Sequence, residues 1–591
     1  MTPDSQSFIH TIQTASDDTS EETTTRIPPT PPQQNTPPSL FGVRDVIGPI
    51  MIGPSSSHTA GALRIASMTL KLLAAPPASV EFYLYGSFAH TYHGHGTDRA
   101  LVAGMLGFGA DDVRIRDSFA IAQERGLAFE FIPMPDVDTA HPNTVDVHVT
   151  DQAGTQTWVR GESIGGGAAQ IRSINGVEAL LGGQYHSIVI KQKDVKGVLA
   201  HIAQKLSDFD VNIATTRLFR ERKGDNAYTI METDDAICHE ILTAIGKHPD
   251  ILSVSLLSSD RSEDTHAPRS AEELAAQGLE PTGFGIDLTA EEATTLFEAL
   301  DFKSGEELLK FCEQEHLSIS DAICRRERCL LASYGLAVDD TKRYLDEALS
   351  VMRESVEEAL ADPRKSMGGL IGGEAQQARD YASQPTSLLG PLLADATTYA
   401  LAVLETNASM GKIVAAPTAG ASGVLPAVLF ALQKSHGLSD AQLARGLANA
   451  AAIGMLVMRN ATVSGAEGGC QAEVGTASAM AASAAVELMG GTPRQCLAAA
   501  ASALSGLMGL VCDPIGGLVE APCQKRNATG AANALVAAQM ALAGIENLIN
   551  FDETVWALYA VGRSLPFELR ESALGGLAAT PTACVLCAKC S

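Results

Sequence analysis

The sequence predicts a multidomain protein: an α+β N-terminal domain, a ferredoxin-like unit in the middle and an all-α C-terminal domain. Three observations predict it. Strand-like runs alternate with short helical patterns over residues 41–183, a β-α-β-β-α-β series fills 186–258, and from about 300 onward almost every stretch carries a helical pattern. At 591 residues the chain is too long for one hydrophobic core.

Taken in order, residues 1–40 hold five acidic residues and a single base, Arg26, amid proline and threonine. A transit peptide is basic and acid-poor, so this stretch reads as a disordered tail. The N-terminal domain, 41–183, carries the runs "SVEFYLYG", "LAFEFIPM" and "TVDVHVTD" between glycine turns. "SIGGGAAQ" (Gly165–Gly167) lacks the Gly-Lys-Ser/Thr of a phosphate loop and reads as a turn.

In the middle unit, "HSIVIKQ" reads as a strand, and "VKGVLAHIAQKLSDFD" places Val198, Leu199, Ile202 and Leu206 on one helix face. "VNIATTRLFRE" and "NAYTIMETD" follow as strands around the turn "RKGDN", then the helix "ICHEILTAIGKH" and the strand "ILSVSLL". Polar, Ala/Glu-rich residues 261–298 read as a linker. The helical domain, 299–582, is rich in Ala and Gly at helix positions, which lets helices approach closely around one site. Residues 583–591 form a Cys-rich tail.

Composition excludes several classes. The net charge of −27, from 42 basic and 69 acidic residues, argues against a nucleic-acid or anionic-membrane surface. Eleven cysteines, an odd number with no secretory signal, argue against a disulfide framework. The uncharged stretch Cys496–Cys512 is a little short to cross a bilayer and reads as a buried core helix. The expected setting is cytoplasmic.

Three cysteines stand out: Cys470 in "SGAEGGCQAEVG", and Cys512 and Cys523 in "CDPIGGLVEAPC". Glycine and proline flank each, placing them at turns or helix ends where backbone N–H groups face a ligand. They are either metal or cluster ligands or ordinary small buried residues. With no histidine nearby, iron–sulfur suits them better than a four-ligand zinc site. From residue 391 to the end there is one histidine, His436, so an acid–base histidine has to come from another domain. "GPSSSHTAGALRIAS" offers His58 among Ser55, Ser57 and Thr59 before a helix, and "GSFAHTYHGHGTDRALVAGML" offers His90, His93, His95 and Asp98. The plain alternatives are a serine-rich N-cap and a turn of exposed histidines.

Together "GPSSSHTAGALRIA", "YGSFAHTYHGHGTD", "ESIGGGAAQI", "APTAGASGVLPAVL", "NATVSGAEGGCQAEVG" and "CDPIGGLVEAPCQKRN" resemble the iron–sulfur L-serine dehydratases (L-serine ammonia-lyases), with β, ACT and α parts fused in one chain. The resemblance covers most of 41–582. It implies a 4Fe–4S cluster on Cys470, Cys512 and Cys523 with one iron lacking a protein ligand, and loss of water from L-serine to give pyruvate and ammonia. His58 is then the base at Cα, with His95 and Asp98 beside it. Ser55, Ser57 and Thr59 contact the substrate carboxylate, Lys525 and Arg526 hold that carboxylate or assist the departing hydroxide, and Asn407 and Thr418 add polar contacts. The ACT-like unit implies a small effector near Gly197 and Asn212, and the resemblance further implies a homodimer. "GGLIGG" (Gly368–Gly373) departs from the family's "SGLTGG"-like text by two hydroxyls. In the terminal "CVLCAKCS", the resemblance implies Cys590 as a plug on the open iron, with Cys584 and Cys587 spare or for a second metal; the plain alternative is a disordered tail.

Two rivals remain at this stage. A pyridoxal-phosphate dehydratase needs a Schiff-base lysine, and residues 391–591 offer Lys412, Lys434, Lys525 and Lys589. An iron–sulfur sensor accounts for the cysteines but leaves "SSSHT" and "QKRN" without a role.

Overall fold

The computed structural model describes residues 41–182, 186–220, 222–233, 237–257 and 289–590, the side chains of 587–590 excepted. The expected N-terminal tail lies outside these residues.

The N-terminal region forms a six-stranded mixed sheet in the order 128–134, 77–85, 144–151, 156–165, 168–174, 177–181. Only the first pair is parallel. Alternation in "TVDVHVTD" drives Val145, Val147 and Val149 into the core, as a half-buried strand requires. Helices Gly61–Lys71 and Thr97–Met105 cover that face. They cross closely at Gly104, where an added Cβ would lie 2.4 Å from the Leu63 carbonyl oxygen. Gly166 and Gly167, both at positive φ, make the expected turn between two strands.

The middle unit has the expected element order, with strands 251–257, 186–193, 226–233 and 213–220 side by side and antiparallel. Its helix Val198–Asp208 buries Val198, Ile202 and Leu206, but Leu199 is 41% exposed. The buried stripe follows i, i+4, i+8, and residue 199, about 100° round from 198, falls on the solvent side.

The segment expected as a linker lies partly outside the described residues, and its end is a helix, Ala290–Leu300. Thr289 and Glu292 form a capping box there that starts the helix. From that point the chain is helical, and alanines such as Ala477, Ala479, Ala481 and Ala484 are fully buried between neighbours. Helix Asp440–Asn460 is long and apolar enough to cross a bilayer, yet 78% of its most apolar window is buried among other helices. The C-terminal tail continues as helix Pro581–Cys590, with Cys584 exposed; the Cys587 and Cys590 side chains lie outside the described residues.

A short pairing helps fix the N-terminal region to the helical one. Ile50–Ile52 lies antiparallel to Lys412–Val414, Ile50 opposite Val414. It delivers the "SSSHT" segment to the helices that carry the three cysteines.

Candidate active site

Ser55 begins the site. Its Oγ accepts from the His58 backbone N–H at 3.1 Å, and the chain then turns as a single π-helical turn, Ser56–Ala60, in which Ala60 N–H donates to the Ser55 carbonyl. Such turns are rare and common at functional sites. Thr59 Oγ donates to the His95 carbonyl at 2.6 Å, which locks the two histidine segments together. The rings of His58 and His95 stack 4.4 Å apart at 26°.

Hydrogen bonds assign the His58 tautomer. Ser87 Oγ donates to the Glu571 carbonyl, so its oxygen is left to accept from His58 Nε2–H, 2.9 Å away. The lone pair therefore sits on Nδ1, facing Ser57 Oγ at 2.9 Å and Ser55 Oγ at 3.4 Å. Burial pulls the His58 pKa down to about 3, against the opposing pull of Glu571. The ring is neutral at pH 7, with its basic atom free of a proton.

His95 is fully buried, with Nδ1 on the Thr91 carbonyl at 3.3 Å and Nε2 facing Glu571 Oε1 at 3.4 Å. Asp98 does not reach it; its partner is the exposed His93, at 2.7 Å. His58, His95 and Glu571 place one ligand atom each within 4.8 Å of one another. Two nearly parallel stacked rings do not aim in-plane lone pairs at one ion, so this trio is a buried contact between two rings and a carboxyl group rather than a metal cage.

The helical side contributes Cys470, Cys512 and Cys523, all buried. Gly469 precedes Cys470 with φ +74°, and an added Cβ would meet Leu565 Cδ1 at 2.7 Å, so the approach to this cysteine admits only glycine. Burial pushes the Cys470 thiol up to about 12 and the other two well above the usual thiol value; Cys470 and Cys523 also raise Cys512, and Cys470 raises Cys523. The sulfurs are close enough to repel as thiolates, yet they do not converge within 4.8 Å. A single tetrahedral ion, with Zn–S near 2.3 Å, would draw sulfurs to within about 4 Å of each other. The wider spacing and three-thiol donor set suit a polynuclear iron–sulfur group better.

Arg526 offsets the thiols. It pairs with Asp513 at 2.7 Å, donates to the Val511 carbonyl at 2.8 Å and lies against Cys470. Lys525, one residue earlier on helix Cys523–Leu542, is exposed and is not brought to the site. Asn407 is fully buried, its Nδ2 donating to the carbonyls of Pro54 and Ala419. Its Oδ1 has no partner among the described residues. Thr418 Oγ donates to Glu473 Oε1 at 2.9 Å. In the loop 366–373, the hydroxyls missing from "GGLIGG" are bypassed. Glu520 accepts from the N–H groups of Gly368 and Leu370 and from Ser366 Oγ. Gly197 is an N-cap at φ +94° in the middle unit, and Asn212 lies two residues beyond Asp210 in the turn before strand 213–220; neither is near these residues in the fold.

Glu473 and Glu571 escaped the sequence reading. Glu473 lies in the quoted "GCQAEVG", where burial and then Glu571 push its carboxyl up to about 8, and Cys512 Sγ lies 3.9 Å from its Oε2. Glu571, in "LRESALGG", offered no local signal. It arrives because the chain runs alongside Cys512, whose N–H donates to the Leu569 carbonyl and whose carbonyl accepts from Glu571 N–H, both at 2.9 Å. That pairing makes the histidine wall and the thiol wall one site.

Residues 44–172 match the family described as Serine dehydratase beta chain, and 289–578 the one described as Serine dehydratase alpha chain. The chain is 32% identical over 546 residues to an L-serine dehydratase of Streptomyces coelicolor, covering 90% of this chain and 98% of that protein. It is 46% identical over 281 residues to a probable L-serine dehydratase alpha chain of Bacillus subtilis, 48% of this chain and 92% of that protein. It is 40% identical over 201 residues to an L-serine dehydratase beta chain of Peptoniphilus asaccharolyticus, 34% of this chain and 90% of that protein.

Proposed function

The chain belongs to the serine dehydratase family, with beta- and alpha-type parts in one polypeptide, and from that premise we propose that it removes water from L-serine to give pyruvate and ammonia. The observation that carries this reading is the neutral, fully buried His58 sharing one site with three buried thiols.

Cys470, Cys512 and Cys523 are the residues to hold a 4Fe–4S cluster. When bound, it supplies a Lewis-acidic iron that weakens the bond to the departing hydroxyl. The protein's own groups do the rest. His58 Nδ1, its lone pair set by the Ser87 bond, takes the proton from Cα. The released electron pair forms the carbon–carbon double bond as the Cβ–O bond breaks and hydroxide departs. Ser57 Oγ and the Ser56 and Ser57 amides that open the 56–60 turn bind the substrate carboxylate, Ser55 and Thr59 shape that turn, and Arg526 lends positive charge beside the leaving oxygen. Asn407 Oδ1, which no donor among the described residues satisfies, accepts from the substrate ammonium. Thr418 acts on Glu473. The product aminoacrylate tautomerises to an imine, and water hydrolyses it to pyruvate and ammonium.

The four-stranded middle unit is read as an ACT domain that takes a small effector. The enzyme is read as a cytoplasmic homodimer, and Cys590 as a removable plug on the open iron. The test is pyruvate release from L-serine by protein purified without oxygen, repeated after exposure to air. Activity that dies in air along with the visible iron–sulfur absorption supports the reading. Air-stable turnover points to pyridoxal phosphate, and no turnover in either sample to a sensor.

A further inference from the structure

Glu571 has no lysine or arginine within ion-pair distance among the described residues; its titratable neighbours are His58, His95 and Glu473. It is 5% exposed, and Ala466 N–H donates to its carboxylate. Its φ is +58°, a left-handed conformation that a non-glycine residue holds only when its surroundings impose it. Oε1 lies 3.7 Å from His58 Nδ1 and 3.4 Å from His95 Nε2, opposite the edge shared by the stacked rings.

We infer that Glu571 is a positioning residue for the elimination: its carboxylate fixes both imidazole rings and offsets the positive charge that His58 acquires when the Cα proton moves to Nδ1. The inference rests on the serine dehydratase reading for its substrate, though not for its geometry. The groups facing His58 explain why a counter-charge is needed. Burial, His95 and His141 all oppose its protonation, and Glu571 favours it. A buried base with no nearby anion gives up little driving force for proton transfer, as the carboxylate of a Ser-His-Asp triad illustrates. Glu571 comes from the far end of the chain, and its backbone bond to Cys512 ties its position to that of a cluster ligand.

The test uses the full-chain, anaerobically purified holoenzyme with Glu571→Gln and Glu571→Asp, and Glu568→Gln on the exposed side of the same segment as a control. Glu571→Gln is expected to lower kcat about 100-fold or more, with KM changed less than about threefold and the visible absorption per iron retained. Activity requires unprotonated His58, so losing the carboxylate lowers the His58 pKa and moves the acid limb of the kcat profile to lower pH. Glu571→Asp keeps that limb and loses at least about fivefold in kcat through misplacement. Undiminished kcat in either variant, or a loss that only tracks lost cluster absorption with the limb unmoved, overturns the inference. If Glu571→Gln does not fold, Glu571→Asp decides by kcat and absorption per iron: a fivefold or greater loss with absorption retained supports the inference, and undiminished kcat or a loss that only tracks absorption overturns it. Ring-nitrogen chemical shifts of His58 and His95, assigned with His58→Gln and His95→Gln, test the contact whether or not serine is turned over. Both are expected to move in the Glu571 variants, and unmoved shifts overturn the inference. A wild-type enzyme inert to serine refutes the parent reading alone.

Discussion

The two walls of the site are built on opposite principles. The histidine wall is polar and internally hydrogen-bonded: Ser55, Ser57, Ser87, Thr59 and His58 bond to one another and to backbone carbonyls. The thiol wall is a helical bundle packed with alanine and glycine, in which three thiols are buried beyond their power to ionise and only Arg526 offers positive charge. The first wall is largely held by its own hydrogen bonds, His95 Nε2 facing only the Glu571 carboxyl. The second is rigid but electrostatically incomplete, and a cationic group completes it. Precision on one side and demand on the other is what a site needs when the protein supplies the base and a cofactor supplies the acid.

The comparison breaks most visibly at Cys512. Cys512→Ala should abolish both the visible cluster absorption and pyruvate release, a loss of more than about 10³-fold, because no other group replaces the Lewis acid. His58→Gln should cost about 10²–10⁴-fold in kcat while cluster absorption and iron content stay at wild-type values. A fall in iron content with His58→Gln would mean the walls are not independent.

The pH dependence of stability separates the walls further. The folded-state pKa of His58 lies near 3 against an ordinary 6.5, so between those values the unfolded chain holds a proton that the folded one does not. Stability is then full above about pH 6.5 and falls as pH drops, by about 3 kcal/mol at pH 4 from this residue alone. Denaturant titrations at pH 7 and pH 4 on wild type and His58→Gln measure it, and equal slopes would sink it. The smallest effect is expected at Lys525, where Lys525→Ala should change kcat/KM less than about twofold, since the side chain faces solvent.

Contiguous chemistry was legible in the sequence, and contacts between distant segments were not. "SSSHT" set a histidine among hydroxyls that the structure bonds to it, and the glycine and proline flanks put the cysteines at turns or helix ends, as with Cys470 after Gly469 and Cys523 at the start of its helix. Helical periodicity misplaced Leu199 because apolarity alone does not choose between neighbouring faces of a helix. Lys525 and Arg526 look interchangeable as adjacent bases, yet a turn of about 100° sends one outward and the other to Asp513. Asp98 sits near three histidines in the sequence, and only the tight turn at Gly94 and Gly96 decides that it meets His93. Glu571 was invisible because its partners stand 513 and 476 residues away, as its number minus 58 and minus 95 shows, and no local pattern encodes such a contact.

The pairing of Ile50–Ile52 with Lys412–Val414 has a consequence for assembly. The strand pairing is one part of a wider junction: Val43 N–H donates to Glu327, Tyr344 Oη to the Ile47 carbonyl and Arg326 to the Phe41 carbonyl, and Val43, Val46, Ile47 and Met51 share one core with the helices. Within one polypeptide the same junction works against an effective concentration on the order of millimolar, so each chain finds its own second wall however few copies surround it. Turnover per chain should therefore stay constant down to nanomolar enzyme, and the two walls are always present in equal number.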